Sequence, residues 1–235
     1  MEPAETIRNA VAAVSLLRVQ TSASPALLEA VKQIKLFQAR RFRATYSDLL
    51  GSDEYGPATQ FFLDELYSDK DFAQRDAQFA KIAGALQTLF PKQVVQTAVK
   101  LAQLHRLTEE LDHQMGIEVL STSGVDEVAK YVQAWNTVGR RQDRDLQLKT
   151  VLGVGLELER LTRTAGLRLM LKMMRRPAHA AGLGALQAFL EAGFDTFADM
   201  SGKKKLVANF LSTIQERESK LIAALFSPGT ARVEK

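Results

Sequence analysis

Tyr55-Gly-Pro-Ala-Thr-Gln-Phe-Phe-Leu-Asp-Glu-Leu-Tyr-Ser-Asp-Lys-Asp-Phe-Ala-Gln-Arg-Asp76 is the most aromatic stretch of the chain. With Phe79 just beyond, it holds six of the sixteen Phe and Tyr residues: Tyr55, Phe61, Phe62, Tyr67, Phe72 and Phe79. Asp64, Glu65, Asp69, Asp71, Arg75 and Asp76 are interleaved with them. Pro57 suits the first turn of a helix, where a missing N–H costs nothing. The spacing predicts a short helix over 57–67. Phe61 and Phe62 point about 100° apart on it, so both are buried only if the helix is flanked on two sides. A helix this short takes its order from packing. Asp71 reads as the cap of the next helix, with Gln74 three residues on in the capping-box position. Arg75 lies one turn further along, within reach of Asp71 or Asp64.

Outward from this stretch, glycine and proline punctuate segments of helical period, with no alternating strand and no repeat. Upstream, helices are predicted over 3–19 and from Pro25, the second capped by Ser24. On the second, Leu28, Val31, Ile34, Gln38, Phe42 and Tyr46 share one face, and Arg40, Arg41 and Arg43 lie opposite. Downstream, Phe72, Phe79, Ile82, Leu86 and Leu89 mark the helix after Asp71. Pro91 opens another, to about 115, with Val94, Ala98, Leu101, His105, Thr108 and Asp112 on one broad side. A helix capped by 123–126 follows, then a long one over 140–174 that is apolar on two faces. Such a helix is expected at the centre of a bundle. Gly153, Gly155 and Gly166 let neighbours approach it closely. Pro177 opens the eighth helix, and the last runs from near Gly202 to Ser227-Pro-Gly. The expected fold is all-α: a single-domain bundle of eight or nine helices over residues 1–235, with a frayed tail at 228–235.

The 235 residues are 46% hydrophobic and 25% charged, an ordinary globular balance. There is no cysteine, which excludes disulfides, thiolate metal sites and cysteine nucleophiles. A net charge of +4 is too small to propose nucleic acid as the partner. No run of eighteen apolar residues predicts a transmembrane segment, and the acidic start lacks the basic region of a secretory signal. A cytoplasmic location is expected.

Phe61-Phe-Leu-Asp-Glu-Leu-Tyr67, with Asp71-Phe72 and Arg75-Asp76 after it, resembles a bacterial family of uncharacterised proteins named for an FFLEELY motif. Asp64 stands where that name has Glu and keeps the charge. Ala185-Leu-Gln-Ala-Phe-Leu-Glu191 and Ile214-Gln-Glu-Arg-Glu218 also look like the family's patterns. The resemblance implies a bacterial origin and brings no activity, cofactor or catalytic residue.

Glu110-x-x-His113 has the spacing that sets a carboxylate and an imidazole side by side on a helix, and His105 and Glu109 lie at further four-residue steps. Di-iron bundles use two such motifs and two further glutamates. The second is missing, and the remaining histidine, His179, reads as a surface residue rather than a haem ligand. No cofactor is expected. Lys203, Lys204 and Lys205 at a helix start are a weak anion-site candidate, against a solvated basic loop. Arg140-Arg-Gln-Asp-Arg-Asp145 reads as a solvated helix start. No nucleophile elbow, dinucleotide fingerprint or phosphate loop is present.

The signature stretch keeps two readings. In one, Phe61, Phe62, Leu66 and Phe72 are wedges between long helices. In the other, Phe61, Phe62, Asp64, Tyr67, Asp71, Arg75 and Asp76 border a pocket or an interface. The favoured expectation is a non-enzymatic bundle that binds a protein partner or a small apolar ligand, in an oligomeric state the sequence does not set. The alternative is a helical enzyme or sensor with a carboxylate–histidine metal site on the helix that Pro91 opens. Circular dichroism should show more than two thirds helix, and a strand-dominated spectrum would contradict the periodicity argument.

Overall fold

The computed structural model describes residues 1–122, 126–201 and 205–227. Among them are twelve α-helices and no strand, and the helices take about 85% of these residues, past the two thirds expected. In chain order they are α1 (Pro3–Ser22), α2 (Pro25–Thr45), α3 (Ser47–Leu50), α4 (Gly56–Leu66), α5 (Ala73–Leu89) and α6 (Lys92–Ser121). Then come α7 (Glu127–Val138), α8 (Arg141–Thr162), α9 (Leu167–Met173), α10 (Arg175–Ala180), α11 (Gly184–Ser201) and α12 (Leu206–Leu225).

Twelve helices replace the eight or nine expected because three long segments break. Tyr46 leaves helical geometry and splits α3 from α2. The segment expected to run unbroken over 140–174 stops at Thr162, and Gly166 turns left-handed at φ 79° before α9. Glycine takes that conformation without a Cβ penalty. Gly182, at φ 72°, separates α10 from α11 in the same way.

The central helix is α6, not the segment over 140–174. It packs against α1, α2, α5, α7 and α8. Only Arg144, Val154 and Gly155 of α8 are fully buried, and Leu156 is exposed. Two glycines set close crossings. A Cβ on Gly116 of α6 would lie 2.5 Å from Val31 Cγ2 of α2, and one on Gly155 of α8 would lie 2.7 Å from Leu211 Cδ2 of α12. Gly153, which was expected to do the same, faces open space.

Three apolar clusters fill the interior. One joins α1 to α5 and α6 through Ala4, Ile7, Ala83 and Ala102. A second, around Phe37, Met115, Tyr131 and Trp135, links α2, α6, α7 and α12. The third gathers α2, α4, α11 and α12 around Phe42, Phe62, Phe197 and Phe210. There Phe62 meets Phe210 edge-on, centroids 5.2 Å apart, while Phe61 stacks on Phe189 of α11 at 6.0 Å. α4 is thus packed on two sides, and its eleven residues are held by their neighbours rather than by helix propensity.

No single described helix is long and apolar enough to cross a membrane. α1 and α2 meet that length and composition only as a pair bent by 119°. Ile7, Val14, Ile34 and Phe42 from this pair are buried in the protein.

Phe62→Ala should cost about 3–5 kcal/mol in urea unfolding, the range for deleting a buried aromatic. The half-buried Phe61 should cost less. Equal, small losses at both positions would contradict the packing described.

Candidate functional site

Val94, Ala98, Leu101, His105, Thr108 and Asp112 follow one another on α6 at steps of three and four residues, so they form one stripe. Part of the stripe meets neighbouring helices: Ala98 and Val94 join the cluster with α1 and α5, and His105, Thr108 and Asp112 bond Asp76, Gln147 and Gln38. The stripe also floors a slot of about 340 Å³. Eighteen residues separate its ends, roughly 27 Å at helical rise. Phe79, Ile82 and Leu86 of α5 form one wall, and Leu186, Leu190 and Phe194 of α11 another. Leu167, Met170 and Leu171 of α9 close the outside. Leu66, Tyr67, Phe72 and Arg75 from the signature stretch border it too. The volume falls in the range of small-molecule sites, roughly 300–1,000 Å³. The slot's lining is mostly apolar and follows five turns of α6.

The polar groups along the slot are paired among themselves. Asp76 is buried, and its Oδ2 accepts from Arg18 Nη2 at 2.8 Å and lies 2.9 Å from His105 Nε2. Burial alone would raise the Asp76 carboxyl, but the His105 and Arg18 contacts outweigh it and hold the group below the usual carboxylate range. Arg75 lies between two rings, 3.9 Å from the Phe72 centroid and 4.6 Å from that of Phe189, and its Nη1 reaches Glu65 at 2.5 Å. Burial lowers the Arg75 guanidinium and raises the Glu65 carboxyl, in each case against the attraction of the other.

At the Asp112 end the slot adjoins a smaller chamber of about 100 Å³. Gln38, Leu66, Tyr67, Leu104, Thr108 and Asp112 line both spaces. Arg41 on its wall pairs with Glu218 at 2.7 Å, and Tyr46 donates to the same carboxylate oxygen at 2.9 Å. The Tyr67 ring stacks on Phe42 and lies under the Arg41 guanidinium. Burial and the neighbouring Glu218 charge push the phenols of Tyr46 and Tyr67 far up, so both stay protonated. Asp112 is raised by burial, partly offset by Lys35, and accepts from Gln38 Nε2 at 3.0 Å. Arg144 is 4% exposed, with its guanidinium 3.9 Å from the Trp135 centroid.

The residues singled out from sequence divide. Tyr67, Arg75 and Asp76 line the slot. Phe61 and Phe62 are packed into the core around α4, and Asp64 stays at the surface with Gln60 and Lys70. Asp71 is not the cap residue expected. The cap position is Phe72, and Asp71 Oδ1 instead accepts from Ala73 N at 2.8 Å, still satisfying one free donor of the first turn. Arg75 pairs with Glu65 rather than with Asp71 or Asp64.

The carboxylate–histidine set is dispersed. His105 faces Asp76, Glu109 pairs with Lys35 at 2.7 Å, Glu110 with Arg106, and His113 Nδ1 meets the Thr21 hydroxyl at 2.8 Å. Among the described residues no three His, Asp or Glu side chains are placed to hold a metal ion. Lys203 and Lys204 lie outside the described residues, and Lys205 begins α12 in the left-handed region at φ 66°.

Three chamber residues escaped the sequence reading. Arg41 was assigned to the face opposite Phe42, yet both are buried, since α2 is covered on two sides. Arg144 was placed in a solvated helix start. Glu218 carried no signal of its own beyond lying in the Ile214–Glu218 pattern.

The geometry defines a helical bundle with an apolar slot beside its central helix. The chain belongs to the family described as a domain of unknown function (DUF8198), whose model matches residues 17–231. No curated protein and no solved structure matches the chain.

A carboxylate held below its unfolded value stabilises above that value and loses the contribution as pH falls through the folded one. Asp76 should therefore contribute fully above about pH 4. Asp76→Asn should cost about 1.5–3 kcal/mol at pH 7, the worth of hydrogen bonds to a charged group. Between pH 5 and 2 the variant should lose less stability than the parent. Asp112 and Glu65, shifted upward, act with the opposite sign in both proteins and cancel in the comparison. Parallel acid-unfolding curves would contradict the Asp76 geometry.

Proposed function

We propose that the chain is a non-enzymatic binding module that holds a small apolar ligand in the slot along α6. The observation that carries this reading is the stripe from Val94 to Asp112. An amphipathic helix face of five turns normally buries itself against another helix. Here, beside the contacts of Ala98, His105, Thr108 and Asp112 to other helices, it also borders a space lined by leucines, methionines and phenylalanines. An apolar space of this size forfeits packing within the chain, at a cost that grows with volume.

Access is through α9 and α10. No residue of α9 is fully buried. Gly166 and Gly182, both at positive φ, stand at the two ends of this flap. It is fastened to α11 by polar contacts, Arg175 to Glu191 and Arg168 to Asp195, and by Gln187 donating to Leu171 O. Surface ion pairs of this sort contribute about 0–1 kcal/mol each, and opening the flap also exposes Leu167, Met170, Leu171 and Ala178.

Within the same proposal the family is the FFLEELY-motif group, the source is bacterial, the location is the cytoplasm and residues 1–235 form one domain. The family assignment is supported by Phe61-Phe-Leu-Asp-Glu-Leu-Tyr67, whose Phe61 and Phe62 anchor the short helix that carries Leu66 and Tyr67 to the slot.

The test uses N-phenyl-1-naphthylamine, a neutral probe whose fluorescence rises in apolar surroundings. Protein stripped of lipid by organic extraction should bind it with micromolar affinity. Leu101→Trp, which fills the slot from its floor, should abolish the signal while leaving helical content unchanged. Absence of binding by the parent, or equal binding by the filled variant, would refute the reading.

A further inference from the structure

On the reading that the slot holds an apolar ligand, we infer that this ligand is a linear alkyl carboxylate, its head against Arg144 and its chain running along α6 toward Val94. Arg144 is a buried cation that stacks on the Trp135 ring, 3.9 Å from its centroid, but has no carboxylate partner among the described residues. Its Nη2 meets only the Met115 sulfur, at 3.1 Å, and its Nε has no hydrogen-bond partner. A thioether is a weak acceptor. Buried charges are ordinarily paired, and an arginine fork fits a carboxylate in bidentate fashion.

The surroundings favour an anion from outside the chain. Arg41 is already engaged by Glu218, so the second arginine of the chamber is the one without a counter-ion. Tyr131, Trp135 and Gln147 share the chamber with it. Arg140 and Asp143 lie nearby on the chain and pair with one another at 2.6 Å. Asp112 is the one buried carboxylate close enough to compete. It is occupied by Gln38, and burial favours its neutral form.

The slot accounts for the rest of the molecule. Thr108, which accepts from Gln147 Nε2 at 2.7 Å, stands at the junction of chamber and slot. A head at Arg144 therefore places the first carbons of a chain at Thr108, with Leu101, Ala98 and Val94 along its path. A lining that follows roughly 27 Å of α6 suits a single unbranched chain better than a compact fused-ring ligand. The chamber, about 100 Å³, admits a carboxylate but not a bulky esterified head.

The experiment is isothermal titration calorimetry of lipid-stripped protein with two probes of equal length, tetradecanoate and 1-tetradecanol, below their aggregation limits. The parent should bind the acid at least about tenfold more tightly than the alcohol, the equivalent of about 1.4 kcal/mol. Arg144→Met should erase that preference and leave alcohol affinity within about twofold, because replacing a buried unpaired charge with an apolar side chain tends not to destabilise. Asp112→Asn removes the competing carboxylate and should widen the preference for the acid. Equal binding of acid and alcohol by the parent, or a preference that survives Arg144→Met, overturns the inference and leaves the apolar slot standing. An acid affinity unchanged by Asp112→Asn would put the acid head away from Arg144 and also overturns it. If neither probe binds and N-phenyl-1-naphthylamine does not bind either, the slot reading has failed as well.

Discussion

The whole arrangement depends on how the two sides of α6 are covered. One side meets α1 and α2 directly, with Gly116 against Val31 and His113 against Thr21. Those close contacts bring hydrophobic burial at roughly 25 cal/mol per Å² and fix the helix in place. The other side, from Val94 to Asp112, touches α5 at Ala98 and His105, and α5, α9 and α11 enclose the slot beside it. Those helices are kept from closing onto α6 by contacts elsewhere. α5 is tied to α1 by the apolar cluster around Ile7 and Ala83, and α11 is held by α4, α8 and α12.

Buried polar links set the geometry at the Asp112 end of the slot and midway along it. Arg41, Tyr46 and Glu218 join α2 to α12 through a carboxylate that accepts twice at one oxygen. Arg18, Asp76 and His105 join α1, α5 and α6. Buried pairs add little net stability over apolar replacements, but losing one partner is costly. Their effect here is positional: each fixes the register of helices that would otherwise slide on smooth apolar faces. Gln78 adds a similar tie, accepting from Leu186 N at the start of α11.

Much of this was legible in the residues. Helical period gave the class of fold, and the stripe at 94–112 was visible as a broad side of one helix. The adjacency of Phe61 and Phe62 required a helix packed on two faces. What lay opposite each face was not legible, because it depends on contacts between segments far apart in the chain. The stripe therefore read as ordinary core or as a ligand set, since His105 and Glu109 share its spacing, and the space beside it could not be foreseen. Arg41 and Arg144 were misplaced for the same reason. A charged residue next to apolar ones reads as solvated until its helix is known to be covered on both sides. The break at Gly166 was marked by a glycine, yet neighbouring glycines at 153 and 155 sit inside α8. The residue type alone does not tell a hinge from a close crossing.

The account turns on whether the space along α6 accepts a chain. A crystal structure of the lipid-stripped protein grown with 12-bromododecan-1-ol tests this most directly, since the bromine locates the end of the chain and the neutral head asks nothing of Arg144. The account predicts an anomalous peak between α5 and α6, near Leu86, Ala98 and Leu101. A slot closed by Leu101, Leu171 and Leu190 in contact, with bromine only at the surface, would contradict it.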